Sequence, residues 1–277
     1  MTPDEYCQQK AARSGSSFYY SFLFLPPDRR RAITALYAFC REVDDVVDEC
    51  QDPQIAAAKL AWWRQELASL PDGRPQHPVS QALQAASSQF HLPEEQLAEI
   101  VDGMEMDLRQ SRYLDFKALS LYCYRVAGVV GLLAAQIFGY QDRRTQKYAH
   151  DLGIAFQLTN IIRDVGEDAR RGRIYLPIED LQRFEVTAAD ILHARHSDNF
   201  RRLMEFQIER AEGYYGQAIG ALPVIDRKAQ RPGLVMAAIY RTLLEEIRRD
   251  GCHVLSQRIS LTPIRKLWIA WRTWARG

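Results

Sequence analysis

The sequence predicts an all-α protein, and three observations support that prediction. Apolar residues recur at helical spacing through most of the 277 positions, which is the pattern of amphipathic helices. Strand signals are scarce, because no Asn-Gly or Asp-Gly turn separates two runs of alternating polarity. No internal repeat and no low-complexity linker divides the chain. We therefore expect one helical domain over residues 1–277.

The helices can be placed in order from their start and stop signals. Pro26, Pro27 and Asp28 begin a helix that continues through RRRAITALYAFCREVDDVVDEC. HLPEE at 91–95 is another start, and its acids suit the positive end of a helix dipole. Residues 170–177 break the pattern and predict a loop. Further helices are predicted at about 54–70, 78–90, 93–110, 115–139, 142–168, 187–221, 232–250 and 262–275.

Composition excludes several classes of function. The formal charge is +1, so no global field attracts nucleic acid, and no nucleic-acid partner is expected. MTPDEYCQQK lacks the basic and apolar regions of a signal peptide. The longest uncharged stretch, 126–141, is shorter than the roughly 18 residues of a transmembrane helix. The five cysteines show no CxxC pair, which favours reduced thiols and a cytoplasmic protein.

Two acid clusters interrupt helices that are otherwise apolar. In REVDDVVDE, residues 41–49, Asp44 and Asp48 share one helix face. In NIIRDVGED, residues 160–168, Asn160, Asp164 and Asp168 recur at intervals of four and also share a face. Acids in such rows repel each other, and more strongly when they are buried. Some positive charge must therefore compensate them.

Mg²⁺ is the compensating charge that we expect. It takes oxygen ligands and typically binds one or two carboxylates together with substrate phosphates. Several ions between two facing acid helices could hold a diphosphate, which arginine grips well. The alternative is a pair of solvated acidic faces, but two such clusters in apolar helices favour the metal. The arginines within or just after the clusters are Arg41, Arg163, Arg170, Arg171 and Arg173.

A metal-bound diphosphate implies an organic remainder. The stretch YCYRVAGVVGLLAAQIFGY, residues 122–140, is rich in glycine and alanine. Such residues allow close helix packing or leave a tunnel for a long apolar tail. Packing is the favoured interpretation of the stretch alone, whereas the neighbouring acid clusters also support a prenyl tunnel.

Five ordered blocks of the chain are similar to the squalene and phytoene synthase family of head-to-head prenyl diphosphate synthases. The opening blocks resemble most the bacterial presqualene diphosphate synthases of hopanoid biosynthesis. The resemblance implies a single isoprenoid-synthase-type helical bundle around a central cavity. The blocks are SGSSFYYSFLFLP, ALYAFCREVDDVVDE, YCYRVAGVVG, QLTNIIRDVGEDARRGRIYLP and AAIYRTLLEEIRRDG.

The same resemblance implies the residues of the site. Tyr122 matches a tyrosine implicated in the chemistry, and the four matched aspartates would act with it. At Gly15 some relatives carry a hydroxyl residue. The implied ligands of several Mg²⁺ ions are Asp44, Asp48, Asn160, Asp164 and Asp168. Positions that match substrate contacts are Ser14, Gly15, Ser16, Ser17, Tyr37, Arg41, Gln157, Arg163, Tyr175, Tyr240 and Arg258.

The implied activity is Mg²⁺-dependent condensation of two farnesyl diphosphates to presqualene diphosphate and diphosphate, a step toward squalene and hopanoids. A downstream pathway enzyme is then an expected partner. NADPH is not expected unless the reaction continues to squalene. The alternatives are a complete NADPH-dependent squalene synthase, a phytoene synthase using geranylgeranyl diphosphate, a terpene cyclase, and a helical protein that only binds prenyl diphosphates.

The C-terminal segment IRKLWIAWRTWARG permits two interpretations. Its three tryptophans fall on one side of a helix and alternate with basic residues. The segment could therefore contact the inner membrane face peripherally, or it could be a last helix that docks on the bundle. The sequence favours neither.

Overall fold

The computed structural model describes residues 1–13, 18–22, 24–50 and 52–276, except for the side chains at 19, 20 and 276. Over these ranges the chain is helical and contains no β-strand. Its one extended pairing there is an isolated bridge between Arg112 and Ile174. The predicted all-α class is confirmed.

The first half of the chain supplies six helices. Their bounds are α1 (Pro3–Arg13), α2 (Phe18–Phe22), α3 (Pro27–Glu49), α4 (Pro53–Ala68), α5 (Pro78–Phe90) and α6 (Glu94–Arg109). The second half begins with α7 (Phe116–Cys123), a π-helical turn (Tyr124–Gly128), α8 (Val129–Phe138) and α9 (Arg144–Arg170). It ends with α10 (Ile178–Arg183), α11 (Ala188–Leu192), α12 (Asp198–Ala221), a 3₁₀ turn (Val224–Asp226), α13 (Arg231–Arg249) and α14 (Pro263–Arg276).

Local signals explain where these helices begin and end. Pro27 occupies the first turn of α3, where its missing N–H costs no hydrogen bond. The Asp115 carboxylate accepts a hydrogen bond from the Ala118 N–H at the start of α7. Gly139 ends α8 with a φ of +81°, which favours glycine.

The structure corrects two of the predicted helices. The helix predicted over 115–139 is interrupted by the π-helical turn, which leaves α7 and α8 as separate elements. The helix predicted over 187–221 is two helices, because Ala194 has a φ of +52° and the Ser197 hydroxyl caps a new start. Helices α1, α2 and α10 were not predicted.

The buried apolar residues form two clusters. One is built mainly by α3 to α6, with Val129, Leu133 and Ile137 of α8. The other is built mainly by α9, α12 and α13 with the segments around them. Helix α9 packs against α8, α12 and α13, so it is the central helix of the second cluster. The functional site described below lies where the two clusters meet.

Glycines let α8 and α9 approach at backbone distance. A Cβ atom on Gly131 would lie 2.2 Å from the carbonyl oxygen of Ala149. A Cβ atom on Gly153 would lie 2.3 Å from the carbonyl oxygen of Ala127. Neither position can accept a larger residue without moving a helix. The packing interpretation of the small residues is therefore correct for this pair of helices.

One stretch of the described chain, Phe116–Phe138, is long and apolar enough to cross a membrane by length and composition. It comprises α7, the π-helical turn and α8. These elements pack against α3, α6 and α9. Their place in the bundle accounts for their apolar character.

Candidate active site

A cavity of about 210 Å³ lies between the two apolar clusters. Its polar end is lined by Arg41 and Asp44 of α3 and by Asn160 of α9. The apolar end lies eleven residues earlier on each helix, at Ile33 and Ala149. At 1.5 Å per helical residue, the lined length is about 16 Å. This shape suits a ligand with a polar head and a long apolar tail.

The small residues of the glycine- and alanine-rich stretch line this cavity. Ala127, Gly131, Ala134 and Ala135 all face it. Gly131 also packs on α9, as described above. Close packing and a tunnel are thus both present along α8, and the sequence could not choose between them because they share residues.

Aromatic rings enclose the cavity on one side. Phe18 lies against Tyr37, with ring centroids 5.6 Å apart. Phe156 lies against Tyr240, with centroids 5.0 Å apart. Phe18 also contacts both Phe156 and Tyr240, so the four rings form one wall. Such a wall excludes water, and ring faces stabilise cations.

In this structure, Asp48 is paired with arginines of the loop that follows α9. The Arg171 guanidinium donates to Asp48 at 2.7 Å and the Arg173 guanidinium at 2.8 Å. Arg173 also donates to the carbonyl of Val47 at 3.2 Å. These contacts bring the first predicted acid cluster beside the end of the second, although the residues are more than 120 positions apart in sequence.

Two further acids of α3, Asp44 and Asp45, share a partner within their own helix. Arg41 donates to Asp44 and to Asp45, at 2.6 Å each. Lys10 of α1 forms a further ion pair with Asp45 at 2.8 Å. Asp45 is thereby turned toward α1, whereas Asp44 lines the cavity. The two parallel acid rows of α3 therefore differ in their partners.

Asp164 of α9 accepts hydrogen bonds from two arginines. Arg163 Nε donates to it at 2.7 Å, and Arg258 Nε donates at 2.9 Å. Burial and the neighbouring Arg163 and Arg258 lower the pKa of Lys266, which places this α14 residue in the same group. Arg258, which the sequence predicts as a substrate contact, thus lies beside Asp164. Lys266 was not predicted as a site residue.

The acid rows keep oxygens that would suit a divalent cation. Burial raises the pKa of Asp44 to about 6 and that of Asp168 to about 7, with added repulsion from nearby acids. The buried Oδ1 of Asn160 has no hydrogen-bond partner among the described residues. No three histidine, cysteine or acidic side chains within the described ranges are close enough to hold one metal ion alone. Mg²⁺ fits these oxygens, because it keeps waters and binds phosphate oxygens as well.

Asp107 of α6 is a site residue that sequence reasoning missed. Its carboxylate accepts a hydrogen bond from the Tyr122 hydroxyl and another from the Tyr175 hydroxyl, both at 2.9 Å. The two rings stack with centroids 5.2 Å apart. Burial raises the pKa of Asp107 to about 6. The available signal was the position of Asp107 one turn after the inward-facing Met104.

The structure places most of the predicted site residues around one cavity mouth. Asp168 lies close enough to Asp107 and Arg173 for their charges to act on it. Gln157 lines the cavity and accepts a hydrogen bond from Asn160 at 3.3 Å. Tyr240 stands beside Arg163, whose charge acts on its phenol. The remaining predicted contacts, Ser14, Gly15, Ser16 and Ser17, lie outside the described residues.

The all-α fold and the paired acid helices at a tunnel mouth fit the class of head-to-head prenyltransferases, and a family model shows that class. The sequence model of the squalene/phytoene synthase family matches residues 11–265. The chain belongs to this family.

Three comparisons describe its relatives. The 15-cis-phytoene synthase of Synechocystis sp. is 37% identical over 285 residues, covering 99% of this chain and 85% of that protein. A dehydrosqualene synthase structure superimposes with a TM-score of 0.89 at 29% identity, covering 99% of this chain and 96% of that one. A squalene synthase from Alicyclobacillus acidocaldarius gives 0.79 at 30% identity, covering 90% and 94%.

These relatives bear on the expected product. Other curated relatives, from Arthrospira platensis and tomato, are also phytoene synthases. They fit the phytoene alternative better than presqualene diphosphate, which the opening blocks of the sequence suggested. The family and the coarse reaction type agree with the sequence analysis.

Proposed function

We propose that this protein condenses two prenyl diphosphates head to head into a cyclopropyl-bearing prenyl diphosphate, and that geranylgeranyl diphosphate is its substrate on the way to phytoene. The observation that supports the reaction type is the apolar cavity that opens between two acid helices paired with arginines. The cavity is about 16 Å long, at about 1.5 Å per helical residue. The choice of substrate is supported by the phytoene synthases among the relatives.

A second candidate substrate is farnesyl diphosphate, with presqualene diphosphate as the product. The opening blocks of the sequence support it, as do the structural relatives named for dehydrosqualene and squalene. Both candidates share the same first reaction. They differ in the length of tail that the cavity accepts.

Bound Mg²⁺ would supply positive charge to the departing diphosphate. The residues that would hold the Mg²⁺ ions are Asp44, Asp48, Asn160, Asp164 and Asp168. The arginines now paired with these acids would turn to the phosphate oxygens, because guanidinium binds them bidentately. Arg171 and Arg173 would bind phosphate beside the acids of α3. Arg163 and Arg258 would bind it beside the acids of α9. Lys266 would add a further donor near Arg163 and Arg258.

Loss of diphosphate from the first substrate leaves an allylic cation. The C2–C3 double bond of the second substrate attacks it, and loss of one proton closes the cyclopropane ring. The products are the cyclopropyl diphosphate, one inorganic diphosphate and one proton. The aromatic wall of Phe18, Tyr37, Phe156 and Tyr240 would keep water from the cation.

Tyr122 and Asp107 would fix the geometry at the reacting centre. Burial and the charge of Asp107 raise the pKa of Tyr122 well above its usual value, so the phenol stays protonated. Its hydroxyl donates to Asp107 Oδ2, which sets its orientation. The released diphosphate can accept the proton directly, whereas Tyr122 can accept it only by passing its own hydroxyl proton to Asp107.

Product analysis tests this proposal. Purified protein is incubated with Mg²⁺ and either geranylgeranyl or farnesyl diphosphate, with and without NADPH, and the products are dephosphorylated. Phytoene or its cyclopropyl alcohol from geranylgeranyl diphosphate is the expected result. Presqualene alcohol from farnesyl diphosphate alone would establish the second candidate, and squalene formed only with NADPH would make the protein a complete squalene synthase. Binding without release of diphosphate would overturn the proposed enzyme.

A further inference from the structure

The last helix docks on the bundle with one face and leaves the opposite face uncovered. Ile269 and Ala270 of α14 are buried against the protein. The exposed side chains of the opposite face are apolar: Ile264 at 80%, Leu267 at 43%, Trp268 at 53% and Trp271 at 62%. At 100° per residue these four fall within an arc of about 100°. We call them the α14 stripe.

Basic side chains flank the α14 stripe. The Arg272 guanidinium lies 5.0 Å from the centre of the Trp268 ring. Arg265 is exposed on the same flank and pairs with Glu246 of α13 at 2.7 Å. The third tryptophan of the segment is not part of the stripe, because Trp274 stacks on Phe24 with centroids 5.1 Å apart. The docking interpretation of the sequence is confirmed for one face of α14, and the membrane interpretation stays a prediction.

We propose that the α14 stripe binds the surface of an anionic lipid bilayer. Tryptophan prefers the membrane–water interface, and arginine beside it meets lipid phosphates. A helix with an apolar face and basic flanks is the form that interfacial anchors take. Arg272 is positioned to reach headgroups while Trp268 and Trp271 enter the acyl boundary.

A second copy of the chain is a weaker candidate for covering this face. With about 150 to 250 Å² for each fully exposed side chain of this size, the stripe exposes on the order of 500 Å². A stable protein interface buries about 800 Å² on each partner. The stripe alone is too small for that, whereas a bilayer needs only shallow insertion.

The helix that carries the stripe lies next to the wall of the cavity. Helix α14 packs against α13 and α2, and Phe18, Ser21 and Phe22 of α2 line the cavity. A protein held by α14 would keep this wall at the membrane surface. That position would let prenyl products pass into the lipid in which they dissolve, and this benefit rests on the proposed function. The binding itself does not rest on it.

Vesicle sedimentation of the full chain tests the proposal. Vesicles are made of phosphatidylcholine alone or mixed with phosphatidylglycerol. The double variant Trp268→Ser/Trp271→Ser should bind the mixed vesicles at least about tenfold less than the wild type. Arg272→Glu should lose the preference for phosphatidylglycerol. Trp62→Ser removes an exposed tryptophan of α4 and should bind as the wild type does.

Three results would overturn the proposal: no binding of the wild type to either vesicle, equal binding by the double variant, or equal loss in the Trp62→Ser control. A wild-type dimer that the double variant converts to a monomer in light scattering would assign the stripe to a second copy instead. Turnover of detergent-dispersed substrate is measured separately, and the double variant should retain it. Absence of turnover in every form, with vesicle binding intact, would refute only the proposed function.

Discussion

At the scale of single residues, the acids of the site differ in their present partners. Asp48 meets two arginines from another element, and Asp164 meets one arginine neighbour and one from the loop before α14. Asp168 has no ion pair within 4.0 Å among the described residues, and its pKa is raised to about 7. Positive charge from a ligand would therefore stabilise the ionised carboxylate of Asp168 more than the carboxylates that already have arginine partners.

We expect Asp48→Ala and Asp164→Ala each to abolish turnover while the chain stays folded. Each change removes a proposed metal ligand from the cavity mouth, but neither carboxylate supports the apolar core. Product release and circular dichroism measure the two effects. Asp102→Ala is the matched control, because it removes an acid from a surface ion pair with Arg64 and should leave turnover within about twofold. Retained activity in Asp164→Ala would contradict the assignment.

Asp107→Asn should lower kcat by about tenfold to a hundredfold, because an amide cannot accept from both phenols as the carboxylate does. The Tyr122 hydroxyl then loses its fixed orientation, while substrate binding is retained. Steady-state kinetics with either prenyl diphosphate separate kcat from KM. A rise in KM with unchanged kcat would show that Asp107 serves binding only.

The same variant has a predictable pH dependence. Burial raises the pKa of Asp107 from 3.8 to about 6. The folded state therefore holds the Asp107 proton more tightly than the unfolded state does. The resulting stabilisation is fully present below pH 3.8 and is lost as the pH rises to 6. Asparagine has no titrating carboxyl group, so the variant does not lose stability in this way. Relative to the wild type, Asp107→Asn should gain about 2 kcal/mol of unfolding free energy between pH 4 and pH 7, at about 1.4 kcal/mol per pKa unit with allowance for partial exposure. Denaturant titrations at both pH values measure it, and a constant difference would refute the shift.

At the scale of elements, α8 both packs against α9 and lines the cavity. Gly131 holds it against the backbone of α9, and Ala134 leaves space in the cavity. The π-helical turn before it sits between Tyr122 and these small residues. Such turns often mark functional sites, because they rotate one part of a helix relative to the next.

Substitutions at Gly131 and at Ala134 should therefore differ in their effects. Gly131→Ala places a methyl group against the Ala149 carbonyl and should destabilise the fold by about 1 to 3 kcal/mol. Ala134→Leu fills the cavity and should instead reduce turnover, more for the longer prenyl substrate than for the shorter one. Thermal unfolding and competition between the two substrates measure these effects. Equal stability loss in both variants would show that Ala134 is packed rather than open.

At the scale of the whole molecule, the site carries both signs of charge at one cavity mouth. Free diphosphate meets acids there, and free Mg²⁺ meets arginines. We expect Mg²⁺ and inorganic diphosphate together to raise the unfolding temperature by more than the sum of their separate effects, because each neutralises the charge that repels the other. Thermal scans with each alone and with both test this. Strictly additive shifts, or no shift with both, would contradict a joint site.

Helical periodicity was sufficient for the fold class, because most helices bury one face and carry clear start signals such as Pro27. Four-residue spacing was sufficient to find both acid rows. It could not find Asp107 or Lys266, because single charged residues have no spacing, and their role arises only when distant helices meet. The break between α11 and α12 was missed because Ala194 gives no sign of its positive φ.

The position of the cavity between two apolar clusters has a consequence for mobility. Ile33 and Leu36 of one cluster and Leu152 and Phe156 of the other face the same cavity space. A prenyl tail there would add contacts between the two clusters. Amide hydrogens in the middle of α3 and α9 should then exchange more slowly on ligand binding, so the substrate acts as a removable part of the protein interior.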